Sequence, residues 1–126
     1  MIKKNDTLRA SCHCGAIQLD VFLSNGLHEI IRCNCSICSR VKGFAMVCIP
    51  SGDMSIVEGQ NSITEYVFNT ASSPQYFCII CGTHTHHKSR SRPSLTCVNV
   101  ACIDGLDIHE YTKVKDFNGI QHPKDQ

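Results

Sequence analysis

The chain has 126 residues, 42% hydrophobic, with five phenylalanines, three tyrosines, no tryptophan, ten cysteines and a formal net charge of +1. That length makes one small domain, able to bury roughly two thirds of its unfolded surface, and the composition excludes a disordered chain. The balanced charge, with no long basic tract, excludes a dedicated nucleic-acid binder, and no apolar run is long enough for a membrane span.

Residues 1–6 read as a polar tail, and residues 119–126 as a second one, on either side of a single domain. The first six residues lack the apolar stretch of a secretory signal, which places the protein in the cytosol. In Ile17-Gln18-Leu19-Asp20-Val21-Phe22-Leu23 the apolar residues Ile17, Leu19, Val21 and Leu23 recur at every second position, the period of a half-buried strand. Gly15, next to Cys14, allows a tight turn there, and Ser24-Asn25-Gly26 closes the strand. His28-Glu29-Ile30-Ile31-Arg32 is the next expected strand and delivers the thiol run Cys33-Asn34-Cys35-Ser36-Ile37-Cys38 at its end. Ser36 is a suitable N-cap and Gly43 a suitable stop for one or two helical turns over 36–42.

Further strands are expected over 44–49, 54–57, 63–68, 75–77 and 95–100, separated by turn residues. Phe117-Asn118-Gly119-Ile120 reads as a last tight turn before the tail. Many short strands with little helical periodicity predict a mainly β, antiparallel architecture. Edge strands in so small a β domain leave a homodimer open, with no segment marking where it would form.

The cysteines carry the chemistry. In a cytosolic chain this density means metal rather than a disulfide framework. Cys12-His13-Cys14 and Cys78-Ile79-Ile80-Cys81 together supply four thiolates, a complete tetrahedral set for a structural zinc. Cys33, Cys35 and Cys38 supply three, so a zinc there keeps an exchangeable fourth position or borrows a ligand, with His84 or His86 as candidates. Three thiolates on Zn²⁺ leave one net negative charge, which makes a poor activator of water but a good partner for an entering thiol. Cys48, Cys97 and Cys102 are expected as small buried hydrophobes.

A bound thiolate adds negative charge, and the cations to balance it come from Arg40, Lys42, Lys88, Arg90 and Arg92, with Arg40 first because it lies two residues past Cys38. His84, His86 and His87 offer acid–base groups near neutral pH, with His84 and His86 on one face of an extended segment. The other histidines give no signal.

The order C-x-C-G, C-x-C-x-x-C, F-C-x-x-C-G is carried by Cys12-His13-Cys14-Gly15, by 33–38 followed by Arg40 and Gly43, and by Phe77-Cys78-Ile79-Ile80-Cys81-Gly82. Over about residues 8–110 it resembles the glutathione-dependent formaldehyde-activating enzymes and their centromere protein V-like relatives. The resemblance implies an Mss4-like fold of twisted antiparallel β-sheets clamped by a four-cysteine structural zinc at Cys12, Cys14, Cys78 and Cys81. It also implies a catalytic zinc on Cys33, Cys35 and Cys38. The implied activity is that of a carbon–sulfur lyase joining or separating a thiol and an aldehyde, as in S-(hydroxymethyl)glutathione. Asn34, where histidine is frequent, and Ser39, where arginine often stands, depart from the usual pattern. Two alternatives stay open: a zinc-stabilised binding module without catalysis, and a zinc- or thiol-sensing protein.

Overall fold

The computed structural model describes residues 4–24, 30–41, 45–67, 73–90, 92–106 and 114–118. The described strands form two sheets. In the first, β1 (Thr7–Ser11), β2 (Gln18–Phe22) and β5 (Met54–Glu58) run antiparallel in the order β1-β2-β5. The two-residue period holds: Leu19 and Val21 are wholly buried, whereas Asp20 between them takes an ion pair from Arg9 at 2.9 Å on the wet face. Asn5 and Asp6, in the segment expected as a tail, hydrogen-bond with the Leu23 backbone at 2.7 and 2.9 Å.

Between β5 and the next strand, Gly59 has φ +87° and lies against the Ala16 backbone so closely that a Cβ would collide with the Ala16 carbonyl. Glycine is required there by both conformation and space. The contact fixes the connection beside the chain that leaves Cys12 and Cys14.

The second sheet has seven strands in the order β10-β3-β4-β9-β8-β7-β6. They are β3 (Ile30–Cys33), β4 (Met46–Pro50), β6 (Ile63–Tyr66), β7 (Gln75–Cys78), β8 (His84–Lys88), β9 (Leu95–Asn99) and β10 (Val114–Phe117). The pairs are antiparallel apart from β10 on β3, which is parallel. β10 is not among the expected strands; its last residue, Phe117, pairs with Cys33, and the tight turn expected over 117–120 lies partly outside the described residues, at 119 and 120. The long connection into a parallel partner leaves no local signature, because its hydrogen bonds go to a strand some eighty residues back.

Alternation sorts the residues of this sheet onto two faces. Ile30, Val47, Ile49 and Val98 join Leu19, Val21, Leu23 and Ile17 in the main core. Their neighbours Ile31, Cys33, Met46, Cys48 and Cys97 face the other way, into a small second cluster closed by Ile37 and Cys38 of the helix α1 (Ser36–Val41). The position of α1 matches the expected turns over 36–42, with Lys42 and Gly43 outside the described residues. A backbone bridge between Ala10 and Ile103, with Asp104 N–H donating to Arg9 O at 2.8 Å, stitches β1 to the end of the β9 segment. Among the described residues no helix is long and apolar enough to cross a membrane.

Candidate metal centres and the cavity beside them

Two groups of sulfurs converge, and they are the two groups that the spacing selects. Cys12 and Cys14 follow β1, and Cys78 and Cys81 form the turn after β7. Their ligand atoms lie within 4.8 Å of one another. Sγ of Cys14 is 3.6 Å from that of Cys12 and 3.7 Å from that of Cys78, close to the edge of about 3.8 Å that a tetrahedron with metal–sulfur bonds of about 2.3 Å requires. The backbone turns its donors onto these sulfurs: Ile17 N–H donates to Cys12 Sγ at 3.3 Å and Ile80 N–H to Cys78 Sγ at 3.4 Å. Such donors suit thiolates, not thiols. Thr83 holds the two turns together, accepting from His13 N–H at 3.2 Å and meeting Cys81 Sγ at 3.2 Å. Its hydroxyl is the main reason that the Cys81 thiol is pulled down to about 5.

The second group is Cys33, Cys35 and Cys38, again within 4.8 Å of one another. β3 delivers Cys33, and the first turn of α1 delivers Cys35 and Cys38. Cys35 N–H donates to Cys33 Sγ and Cys38 N–H to Cys35 Sγ, each at 3.5 Å. Hydrogen bonds from the Cys33 and Cys38 side chains, with the Cys38 and Ile37 backbone behind them, hold Cys35 far below the ordinary thiol range. Cys33 rises in exchange, chiefly through the same bond with Cys35. Three close sulfurs, one of them readily ionised, fit a soft cation such as Zn²⁺. Neither His84 nor His86 belongs to this group of candidate ligands.

Beside the three sulfurs opens a cavity of about 490 Å³, lined by Cys33 and Cys38 together with Arg32, Asn34, Ser39, Met46, Asp116, Phe117 and Asn118 among others. That volume lies in the range of small-ligand sites, roughly 300–1,000 Å³. β10 forms one wall. Arg32 Nε donates to Asp116 Oδ1 at 2.8 Å and Arg32 Nη2 to Asp116 Oδ2 at 3.3 Å, while Asn34 Nδ2 donates to Asn118 Oδ1 at 3.2 Å. Ser39 Oγ is turned back onto Cys35 O at 2.8 Å. Sequence reasoning missed this wall. Arg32 is read in the sequence only as the end of a strand, and Asp116 and Asn118 carry no periodicity that marks them.

The expected cations lie elsewhere. Arg40 is exposed in the last turn of α1, Arg90 is half-buried just past β8, and neither lines this cavity. Lys88 and Arg92 are exposed, and Lys42 is outside the described residues.

Two further expectations are corrected. The sequence puts His84 and His86 on one face, but a register shift between Tyr76 and Phe77 breaks the alternation. His86 pairs with Tyr76 and stacks on it at 4.6 Å, whereas His84 meets Phe77 edge-on at 5.0 Å and His87 at 5.9 Å. All three rings are buried. His84 Nε2 hydrogen-bonds Gln75 Oε1 at 2.8 Å, and burial pushes His86 down to about 4, so that it stays neutral near pH 7. The other correction concerns Cys48 and Cys97, expected as buried thiols. They stand directly opposite on β4 and β9 and form a disulfide, because the register brings two small side chains face to face. Cys102 is a buried thiol as expected, and burial raises it to about 12.

The sequence pattern of the family described as glutathione-dependent formaldehyde-activating enzyme matches residues 7–117. A crystal structure of a Rhodobacter sphaeroides protein is similar over 86% of this chain and 99% of its own, with 36% sequence identity and a TM-score of 0.81. The matched span takes in both cysteine groups and β10, so this chain belongs to the glutathione-dependent formaldehyde-activating enzyme family and shares its mainly β fold.

Proposed function

We propose that the protein forms or cleaves a thiol–aldehyde adduct, with a carbon–sulfur lyase activity of the S-(hydroxymethyl)glutathione type, at Cys33, Cys35 and Cys38. The observation that carries this reading is the cavity of about 490 Å³ that reaches both Cys33 and Cys38. A closed structural centre has no use for one.

In this reading Cys12, Cys14, Cys78 and Cys81 would hold a structural zinc, and Cys33, Cys35 and Cys38 would hold a second, catalytic one. What zinc held there supplies is a lowered pKa for the entering thiol and a sulfur that stays nucleophilic at neutral pH. The rest falls to the chain. The backbone N–H groups of Cys35 and Cys38 donate to the Cys33 and Cys35 sulfurs and fix their direction. Met46 and Phe117 line the cavity with apolar surface, which limits competing water. A guanidinium has five donors, more than Asp116 takes, so Arg32 has donors to offer a carboxylate of the thiol. Arg40 and Arg90 remain the proposed outer contacts for a second carboxylate. The thiol sulfur bonds to the aldehyde carbon, and the thiol proton ends on the aldehyde oxygen; the reverse step restores both.

Exchange between labelled formaldehyde and S-(hydroxymethyl)glutathione, followed by NMR at equilibrium, tests this. Wild type should speed the exchange and Cys35→Ser should return it to the uncatalysed rate with the fold retained. Equal rates with wild type and with buffer would move the reading to the binding module.

A further inference from the structure

We infer that the Cys48–Cys97 disulfide is a second site of thiol chemistry, at which a small thiol exchanges onto Cys48. The place of the pair in the second sheet points to this chemistry, which is separate from the adduct-forming reaction proposed for the three-sulfur centre. Only the choice of glutathione as probe rests on that reading.

Cys48 and Cys97 lie in register across β4 and β9, and the register continues through His87 on β8 to Gln75 on β7. Residues directly opposite in this way share one face of the sheet, with Cβ atoms about 5 Å apart. It is the face that carries the second cluster: Met46 and Cys97 are buried with Cys38, and Cys33, Cys35 and Cys48 pack against them. Five of the ten cysteines thus belong to one small cluster, three as candidate ligands and two as a disulfide.

The two halves of the disulfide differ. Cys97 is 2% exposed, whereas Cys48 is only half-buried. A small thiol therefore reaches the Cys48 sulfur first, and Cys97 becomes the leaving group. Attack forms a bond between the thiol sulfur and Cys48 Sγ and breaks the Cys48–Cys97 bond. The proton lost by the attacking thiol is taken up by the Cys97 sulfur, with the imidazole of His87 opposite Cys97 to carry it. A second thiol then displaces Cys48 from the mixed disulfide, which leaves two protein thiols and one molecule of the oxidised small thiol. No other oxidant or reductant enters. The product of the first step is a bulky adduct on Cys48 and a free thiol on Cys97, in the same cluster as the three candidate ligands.

The test is made on the full, metal-loaded chain. It is incubated with glutathione without oxygen, quenched with acid and N-ethylmaleimide, and its peptides are mapped by mass spectrometry. Before any glutathione is added, Cys48 and Cys97 should be found joined. At early times glutathione should be found on Cys48 and maleimide on Cys97, with the adduct favouring Cys48 by about tenfold or more. Cys48→Ser should carry no adduct on Cys97. Cys35→Ser, which abolishes the proposed adduct-forming activity, should acquire the Cys48 adduct as wild type does, so the two proposals fail separately. Maleimide on both cysteines before glutathione is added, a disulfide that glutathione leaves intact, or an adduct confined to Cys97 or to Cys33, Cys35 and Cys38 would each overturn the inference.

Discussion

Burial alone pushes the His86 imidazole down to about 4, against 6.5 for an ordinary histidine, and the consequence is a pH-dependent stability. The folded state leaves His86 neutral over that interval while the unfolded chain takes up the proton. Stability is therefore complete above about 6.5 and is lost as pH falls towards 4, by up to about 3 kcal/mol for this one group. His86→Phe keeps a ring on Tyr76 and removes the titration. Its denaturation midpoint should fall less steeply than that of wild type between pH 6.5 and 4.5, and parallel slopes would remove His86 from the account. The three histidines were visible in the sequence as an unusual run; their burial on opposite faces was not. A bulge moves side chains from face to face without any change of composition, and its cause here is the register shift against Tyr76 and Phe77.

At the scale of elements, strands read from alternation or from compact apolar runs are found where expected. β2 and β9 are examples, because burial on one or both faces leaves its mark on composition. β8 and β10 are different. β8 is buried through histidine and threonine, with His84 Nε2 on Gln75 and His86 Nδ1 on Thr85, and β10 is a short polar edge strand held by a parallel partner and by Asp116 on Arg32. Neither has a local pattern to read. Gly59 is a similar case: nothing in its neighbourhood in sequence announces the Ala16 backbone against it. Gly59→Ala should destabilise the protein by about 2–4 kcal/mol through the positive φ and the collision together, measured by urea denaturation. A loss below about 0.5 kcal/mol would show that the connection relaxes freely.

For the whole molecule, the two cysteine groups were the most legible feature. Ligand spacing is short-range within each pair, so it is written in the sequence even where the fold that unites Cys12 with Cys81 is not. The cavity was illegible for the opposite reason, since its walls come from β3, α1 and β10 and only the fold brings them together. The two centres should also differ in what their loss does. A four-thiolate zinc can contribute on the order of 10 kcal/mol to folding, comparable with the whole stability of a domain, so Cys81→Ser should unfold the chain. Cys35→Ser should fold and lose one metal.

The central claim is that Cys33, Cys35 and Cys38 form an open centre that takes a thiol, and Co²⁺ substitution followed by titration with glutathione tests it most directly. The account predicts two cobalt ions per wild-type chain and thiolate-to-metal absorption that changes and saturates with glutathione. It predicts one ion and an unresponsive spectrum in Cys35→Ser. One ion in both proteins, or a wild-type spectrum that no concentration of glutathione alters, would contradict it.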